Sequence, residues 1–140
     1  MRRTLSGSLE LDDDRDRIDA GAVHRYLSLE SYWACGCSHD AVVRSVRDAA
    51  RVVGLYDGMR QIGFARVLSD GIRMSHLCDV YVLRPYRGRG LGVELVREAV
   101  DNGPHAKLAW TLKTKDAHGL YERFGFRAPG DGIMERAASG

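Results

Sequence analysis

The stretch Arg87-Gly88-Arg89-Gly90-Leu91-Gly92 joins two segments of different periodicity, and that junction limits the possible folds more than any other feature. Upstream, Cys78 to Leu83 is apolar, β-branched and aromatic, the pattern of a buried strand. Downstream, Leu91, Leu95, Val96, Ala99 and Val100 recur at helical spacing, which predicts a helix from near Gly90 to about Asn102. A glycine-rich turn from strand into helix exposes several backbone N–H groups at the positive helix end, an arrangement that binds phosphate. Gly88, Gly90 and Gly92 remove side chains that would block close approach, and Arg87 and Arg89 add cationic donors. A dinucleotide fingerprint needs glycine where Val93 stands, and a Walker loop ends in Gly-Lys-Ser/Thr. Neither is present.

The rest of the chain alternates short strands with short helices. Leu5 to Leu11 reads as a first edge strand, ended by the solvated acidic turn Asp12-Asp13-Asp14. Asp19 caps a helical pattern carrying Ala22, Val23, Tyr26 and Leu27. Ser38 or Asp40 opens another, with Val42, Val43 and Val46 apolar. Arg51 to Tyr56 and Gln61 to Leu68 flank Asp57-Gly58, a hairpin signal, and a turn at Asp70-Gly71 leads into a strand from Ile72 to Leu83. After the stop Asn102-Gly103-Pro104 come a fifth strand, Lys107 to Thr111, and a short helix bearing Tyr121. A last strand at Ile133 to Glu135 and a loose tail from Ala137 to Gly140 complete the pattern. This order gives an α+β fold with a mixed sheet. The 140 residues make one domain, 1–140, with no repeats.

Composition removes several function classes. A net charge of +2 with scattered arginines leaves no nucleic-acid footprint, and no apolar run reaches the length of a membrane span. Met1-Arg2-Arg3-Thr4 is charged but has no apolar core behind it, so no signal peptide is expected. The odd count of three cysteines argues against a disulfide framework and for a reducing, cytoplasmic compartment. Cys35-Gly36-Cys37-Ser38-His39 offers only a local trio where zinc wants four ligands, so no metal is expected.

The pattern Arg-x-x-Gly-x-Gly after an apolar strand and Pro85 resembles the acyl-CoA pyrophosphate loop of the GNAT superfamily of N-acetyltransferases. A second segment, Thr114 to Phe126, is similar to the family signature in which a short helix carries a tyrosine and ends in Gly-Phe. Its local physics agrees: Thr114 or Asp116 can cap the helix, Ala117, Leu120, Tyr121 and Phe124 share a face, and Gly125 supplies a left-handed stop. The likeness extends more weakly from about Tyr32 to Met134.

The resemblance implies the GNAT fold, a twisted, mixed and mostly antiparallel sheet flanked by helices and splayed between its fourth and fifth strands. It also implies an acetyl-CoA-dependent N-acetyltransferase acting by direct attack of a primary amine in a ternary complex. Backbone groups of Val80, Tyr81 and Val82 would meet the pantetheine arm, those of Arg87, Gly88, Arg89, Gly90, Leu91 and Gly92 the pyrophosphate. Thr114, where the family more often has asparagine, would contact the cofactor. Tyr121 would protonate the departing thiolate, although on its own an aromatic on an apolar helix face is more often a core residue than a catalyst. For the base, His76 matches the basic glutamate of the histone-acetyltransferase branch, and Asp79 an acidic residue of small family members.

Strict alternation puts His76, Cys78, Val80 and Val82 on one face and Leu77, Asp79, Tyr81 and Leu83 on the other, unless a bulge intervenes. Glu30, Tyr32 and Trp33 fall where the family lines its acceptor site, or else close the helix pair as core. The implied partners are a small-molecule or peptide amine and, as an option the family leaves open, a second copy of the chain. A non-catalytic acyl-CoA-binding module on the same fold is the alternative reading; it would not need Tyr121.

Overall fold

In the computed structural model, residues 1–130 and 132–138 are described. Among these residues, six strands form one sheet in the order β1-β2-β3-β4-β5-β6. They are β1 (Arg2–Ser6), β2 (Leu9–Asp12), β3 (Arg51–Asp57), β4 (Arg60–Ser69), β5 (Met74–Val82) and β6 (Ala109–Leu112). The first four pairings are antiparallel and β5–β6 is parallel. The single edge strand expected over Leu5 to Leu11 is instead a hairpin, because Gly7 takes a left-handed φ of +54° and turns the chain back. The expected fourth and fifth strands are therefore β5 and β6.

Four α-helices cover the two faces: α1 (Ala20–Leu29), α2 (His39–Asp48), α3 (Leu91–Val100) and α4 (His118–Glu122). Asp19 and Ser38 cap α1 and α2, each accepting from the backbone N–H three residues on, at 3.0 and 3.1 Å. Val23, Tyr26, Leu27, Val42 and Val46 pack with Val52, Phe64 and Tyr81 on one face of the sheet. Leu91, Leu95, Val96, Ala99 and Tyr121 pack with Val53, Leu55, Ala65, Val67 and Leu77 on the other. Leu95 is completely buried, and truncating such a leucine to alanine costs about 2–5 kcal/mol. α3 is also tied to β3 by charge: Arg51 donates to the Glu98 carbonyl at 2.7 Å and to its carboxylate at 3.1 Å, both side chains being buried.

Two departures in β5 decide where the functional groups go. Arg66 pairs with Cys78 and Phe64 with Tyr81, so Ala65 faces both Asp79 and Val80 across a bulge. Asp79 takes φ +56°, the one non-glycine residue with positive φ among those described. The bulge overturns strict alternation. Leu77 packs with α3 while Tyr81 packs with α1 and α2, on the opposite face. The second departure is at β6, whose pairing runs from Met74↔Ala109 to Leu77↔Leu112 and stops, although β5 continues to Val82. The strands part there, as the splay requires.

The predicted strand at Ile133 to Glu135 is absent: these residues carry no strand, and Ile133 and Met134 are exposed. Following Pro129, Gly130 and Gly132, three residues with no buried face have nothing to hold them extended. Of the predicted tail, Ser139 and Gly140 lie outside the described residues.

Candidate active site

The glycine loop expected to meet a phosphate lies at the junction of β5 with α3. A single 3-10 turn, Arg84–Tyr86, follows Leu83, and Gly90 then enters α3 with φ +75° and no side-chain cap. Gly88 is likewise left-handed, at φ +80°. Among the described residues, no carbonyl or side chain accepts from the backbone N–H groups of Gly88 to Val93. A row of unpartnered donors at a helix N-terminus fits an anion.

The two arginines of the loop do different things. Arg87 turns back into the fold, its Nε donating to the Val82 carbonyl at 2.9 Å and its Nη2 to the Tyr26 hydroxyl at 2.9 Å. One backbone acceptor of the β5 segment expected to meet pantetheine is thus already engaged. Arg89 is exposed, with its guanidinium 5.3 Å from the centre of the Tyr86 ring. Tyr81 buries its side chain by stacking on Tyr26 at 3.9 Å, which leaves only its backbone for a ligand.

Where β5 and β6 part lies a cavity of about 210 Å³. Tyr121, His76, Asp79, Val80, Thr114, Tyr32 and Trp33 all line it, so seven of the residues singled out in the sequence meet at one place. Glu30 is exposed at the C-terminal end of α1 and is not on the cavity wall. The Thr114 hydroxyl accepts from the Ala117 N–H at 3.1 Å and so shapes the approach to α4.

Tyr121 is held from both ends of its helix. Gly125, at φ +86°, lets the Phe126 N–H reach the Tyr121 carbonyl at 3.3 Å and the Gly125 N–H reach that of Glu122 at 3.1 Å. The Phe126 ring then packs edge-on against Tyr121. Burial pushes the Tyr121 hydroxyl up to about 12, so it is a protonated donor at neutral pH.

The two candidate bases differ sharply in their surroundings. Burial, with Lys113 and Arg66 nearby, holds the His76 imidazole below its ordinary 6.5, and its Nδ1 is 2.8 Å from the Thr111 hydroxyl. At neutral pH the ring is therefore neutral. In the tautomer in which Nδ1–H donates to Thr111, Nε2 keeps a free lone pair. Asp79 has both carboxylate oxygens occupied: Oδ2 accepts from Arg66 Nε at 2.8 Å and Oδ1 from Trp33 Nε1 at 2.9 Å. Cys78, also on the wall, is raised to about 11 by burial and stays a thiol.

Opposite, Tyr32 and Trp33 stand perpendicular with ring centres 5.1 Å apart. The Tyr32 hydroxyl accepts from the Lys115 N–H at 2.8 Å, bridging the α1–α2 connection to the loop before α4. Lys113 and the Arg66–Asp79 contact have no counterpart among the sequence expectations, and Asp116 stands there only as a possible helix cap. Lys113 adjoins Thr114 and was legible from that proximity, whereas Arg66 meets Asp79 only because of the bulge.

No helix of the described residues is long and apolar enough to cross a membrane. Among those residues no group of three or more His, Cys, Asp or Glu side chains is placed to hold a metal ion.

Comparison with known proteins agrees with this geometry. Residues 48–128 match the model of the acetyltransferase (GNAT) domain. A protein of Gibberella zeae named as a candidate acetyltransferase is 30% identical over 145 aligned positions, covering 86% of this chain and 80% of that protein. A GNAT-family crystal structure from Xanthomonas campestris, also named as a candidate acetyltransferase, superposes with a TM-score of 0.88 at 34% identity, with 96% of each chain covered. A Deinococcus radiodurans structure described in similar terms shares the fold, with a TM-score of 0.73 at 22% identity over 96% of this chain and 93% of that one. With more than half its length matched by the family model and a sheet that parts between β5 and β6, this chain belongs to the GNAT family of acetyltransferases.

Proposed function

We propose that the chain transfers an acetyl group from acetyl-CoA to a primary amine of a small molecule or peptide, with both reactants bound together. One observation carries the reading: a protonated, buried tyrosine and a neutral histidine line the same cavity, at the strand fork that adjoins the unpartnered N-terminus of α3. Acetyl-CoA, when bound, supplies the acetyl thioester. The open N–H groups from Gly88 to Val93 hold its pyrophosphate, and the β5 backbone beyond the fork holds the arm that leads to the cavity.

An alkyl amine with a pKa near about 10 arrives mostly protonated, so proton removal must precede or accompany attack. His76 takes that proton at Nε2 in this proposal, since it is neutral at physiological pH and its Nδ1 is oriented by Thr111. Asp79 is the weaker choice because both its oxygens already accept hydrogen bonds. The Tyr121 hydroxyl gives a proton to the departing sulfur, a role worth about 10²–10⁴-fold in rate.

Calorimetry with acetyl-CoA, followed by release of free coenzyme A over a panel of amines, amino acids, polyamines, aminoglycosides and peptides, tests the proposal. Binding with amine-dependent release supports it. Binding without release for any amine makes the chain a non-catalytic acyl-CoA module, and absence of binding at tens of micromolar removes both readings.

A further inference from the structure

The bulge in β5 bears on what Asp79 does. A non-glycine residue at φ +56° is costly in general, and aspartate is among the few side chains that tolerate it. The conformation turns the carboxylate toward the α1–α2 face, where one oxygen meets Arg66 and the other the indole N–H of Trp33. Trp33 is 41% exposed and lies in a connection between helices, with the Tyr26 ring tilted against it at 6.3 Å. Its ring faces Tyr32 edge to face, and Tyr32 is tethered across the cavity to the Lys115 N–H.

We infer that Asp79 is a positioning residue: its carboxylate, oriented by Arg66, holds the Trp33 indole so that Trp33 and Tyr32 form the acceptor-facing wall of the cavity. The inference rests on the acetyl-transfer reading for the word acceptor, but the coupling of Asp79 to Trp33 does not. A hydrogen bond to a charged acceptor is roughly twice as strong as one between neutral groups, and it favours one indole rotamer. The aromatic wall gives an incoming ammonium group a ring face to approach before it loses its proton. Acceptor affinity therefore depends on Asp79 through Trp33, and on proton removal Asp79 acts only through its charge, which raises the nearby His76 imidazole.

The test uses the full chain with Trp110→Phe, which leaves Trp33 as its sole tryptophan. Asp79→Gly removes the carboxylate and keeps a residue suited to positive φ, so folding is protected. Asp79→Asn keeps an oxygen able to accept from the indole. Acrylamide quenching of Trp33 should rise at least about twofold in Asp79→Gly and stay low in Asp79→Asn, in a range typical of a freed against a fixed side chain.

Kinetics use whichever of phenethylamine, spermidine, glucosamine or a lysine peptide is turned over fastest. In Asp79→Gly the acceptor KM should rise about tenfold with the KM for acetyl-CoA unmoved, and Asp79→Asn should recover most of that loss. The acid limb should move to lower pH alike in both, because each removes the charge that raises His76. Equal quenching in both variants and the parent overturns the inference. So does a kcat that falls equally in Asp79→Gly and Asp79→Asn with the acceptor KM unmoved, because that is the behaviour of a base. If the parent binds coenzyme A yet acetylates none of the four probes, the acetyl-transfer reading is what suffers, and the quenching comparison decides for or against the Asp79–Trp33 coupling.

Discussion

Phe126 packs its ring edge against Tyr121, centroids 6.0 Å apart at 70°, while its own N–H bonds the Tyr121 carbonyl at 3.3 Å. Both contacts depend on the left-handed residue between the helix and Phe126. Gly125→Ala forces a Cβ into φ +86° and should cost about 1–2 kcal/mol, read as a lower urea midpoint with an unchanged slope. Affinity for acetyl-CoA should hold, since the phosphate loop is a separate element. An unshifted midpoint would mean that the helix end is fixed by packing alone.

Tyr121→Phe keeps the ring that packs in the core and removes the hydroxyl. Stability and acetyl-CoA binding should change little, while kcat falls at least about tenfold and within the roughly 10²–10⁴-fold range of lost acid catalysis. With the hydroxyl raised to about 12, its own deprotonation gives no basic limb near neutrality. Full turnover in the phenylalanine variant would return Tyr121 to the status of a core aromatic.

The His76 reading fixes a pH window. Its folded value lies below 6.5, so kcat/KM should be level at neutral pH and fall only as pH drops through that depressed value. Lys113→Ala removes one of the causes of the depression and should move the limb to higher pH. The same shift carries a stability term with a definite sign. Between the two values the unfolded chain binds more protons, so this contribution is complete above 6.5 and is lost as pH falls through the folded value. His76→Ala should abolish both dependences. An acid limb that survives in that variant would leave proton removal to water.

At the phosphate loop, a Cβ on Gly92 would meet only Leu120, at 4.0 Å, so substitution there is sterically tolerated by the fold. Gly92→Val should leave the melting temperature within a few degrees and weaken acetyl-CoA binding by at least about tenfold, measured by calorimetry. Arg89→Ala should weaken binding modestly and flatten its salt dependence, because an exposed cation acts through screened charge. Arg87→Ala should instead lower stability, since that side chain ties Val82 to Tyr26. Equal salt slopes for the Arg89 variant and the parent would exclude a direct electrostatic part for Arg89.

Local signals carried most of the fold. Caps at Asp19 and Ser38, the Gly58 hairpin, the Gly90 helix start and the Gly125 stop each depend on a few neighbouring residues, and each stands where the sequence pointed. What failed was long-range. The side-chain parity of β5 depends on how β4 pairs with it, so a period-two reading put Leu77 and Tyr81 together when the bulge separates them. Glu98 looks like an outward helix charge, yet it is buried because Arg51 meets it from a strand 47 residues away. Likewise Tyr121, His76 and Trp33 were nameable one by one, but their shared cavity depends on β5 and β6 parting after four paired rungs.

That parting has a consequence for how such a chain can diversify. The Tyr32–Trp33 segment is moored to the sheet and to the loop before α4 through two side-chain hydrogen bonds, one to Asp79 and one from Lys115. The α3 N-terminus, by contrast, follows β5 in the chain through the Arg84–Tyr86 turn and the glycine loop. On the acetyl-transfer proposal, new acceptor preferences can therefore be written into residues 31–37 while the backbone of the glycine loop keeps its course, with Tyr26 the one side chain that touches both Trp33 and Arg87.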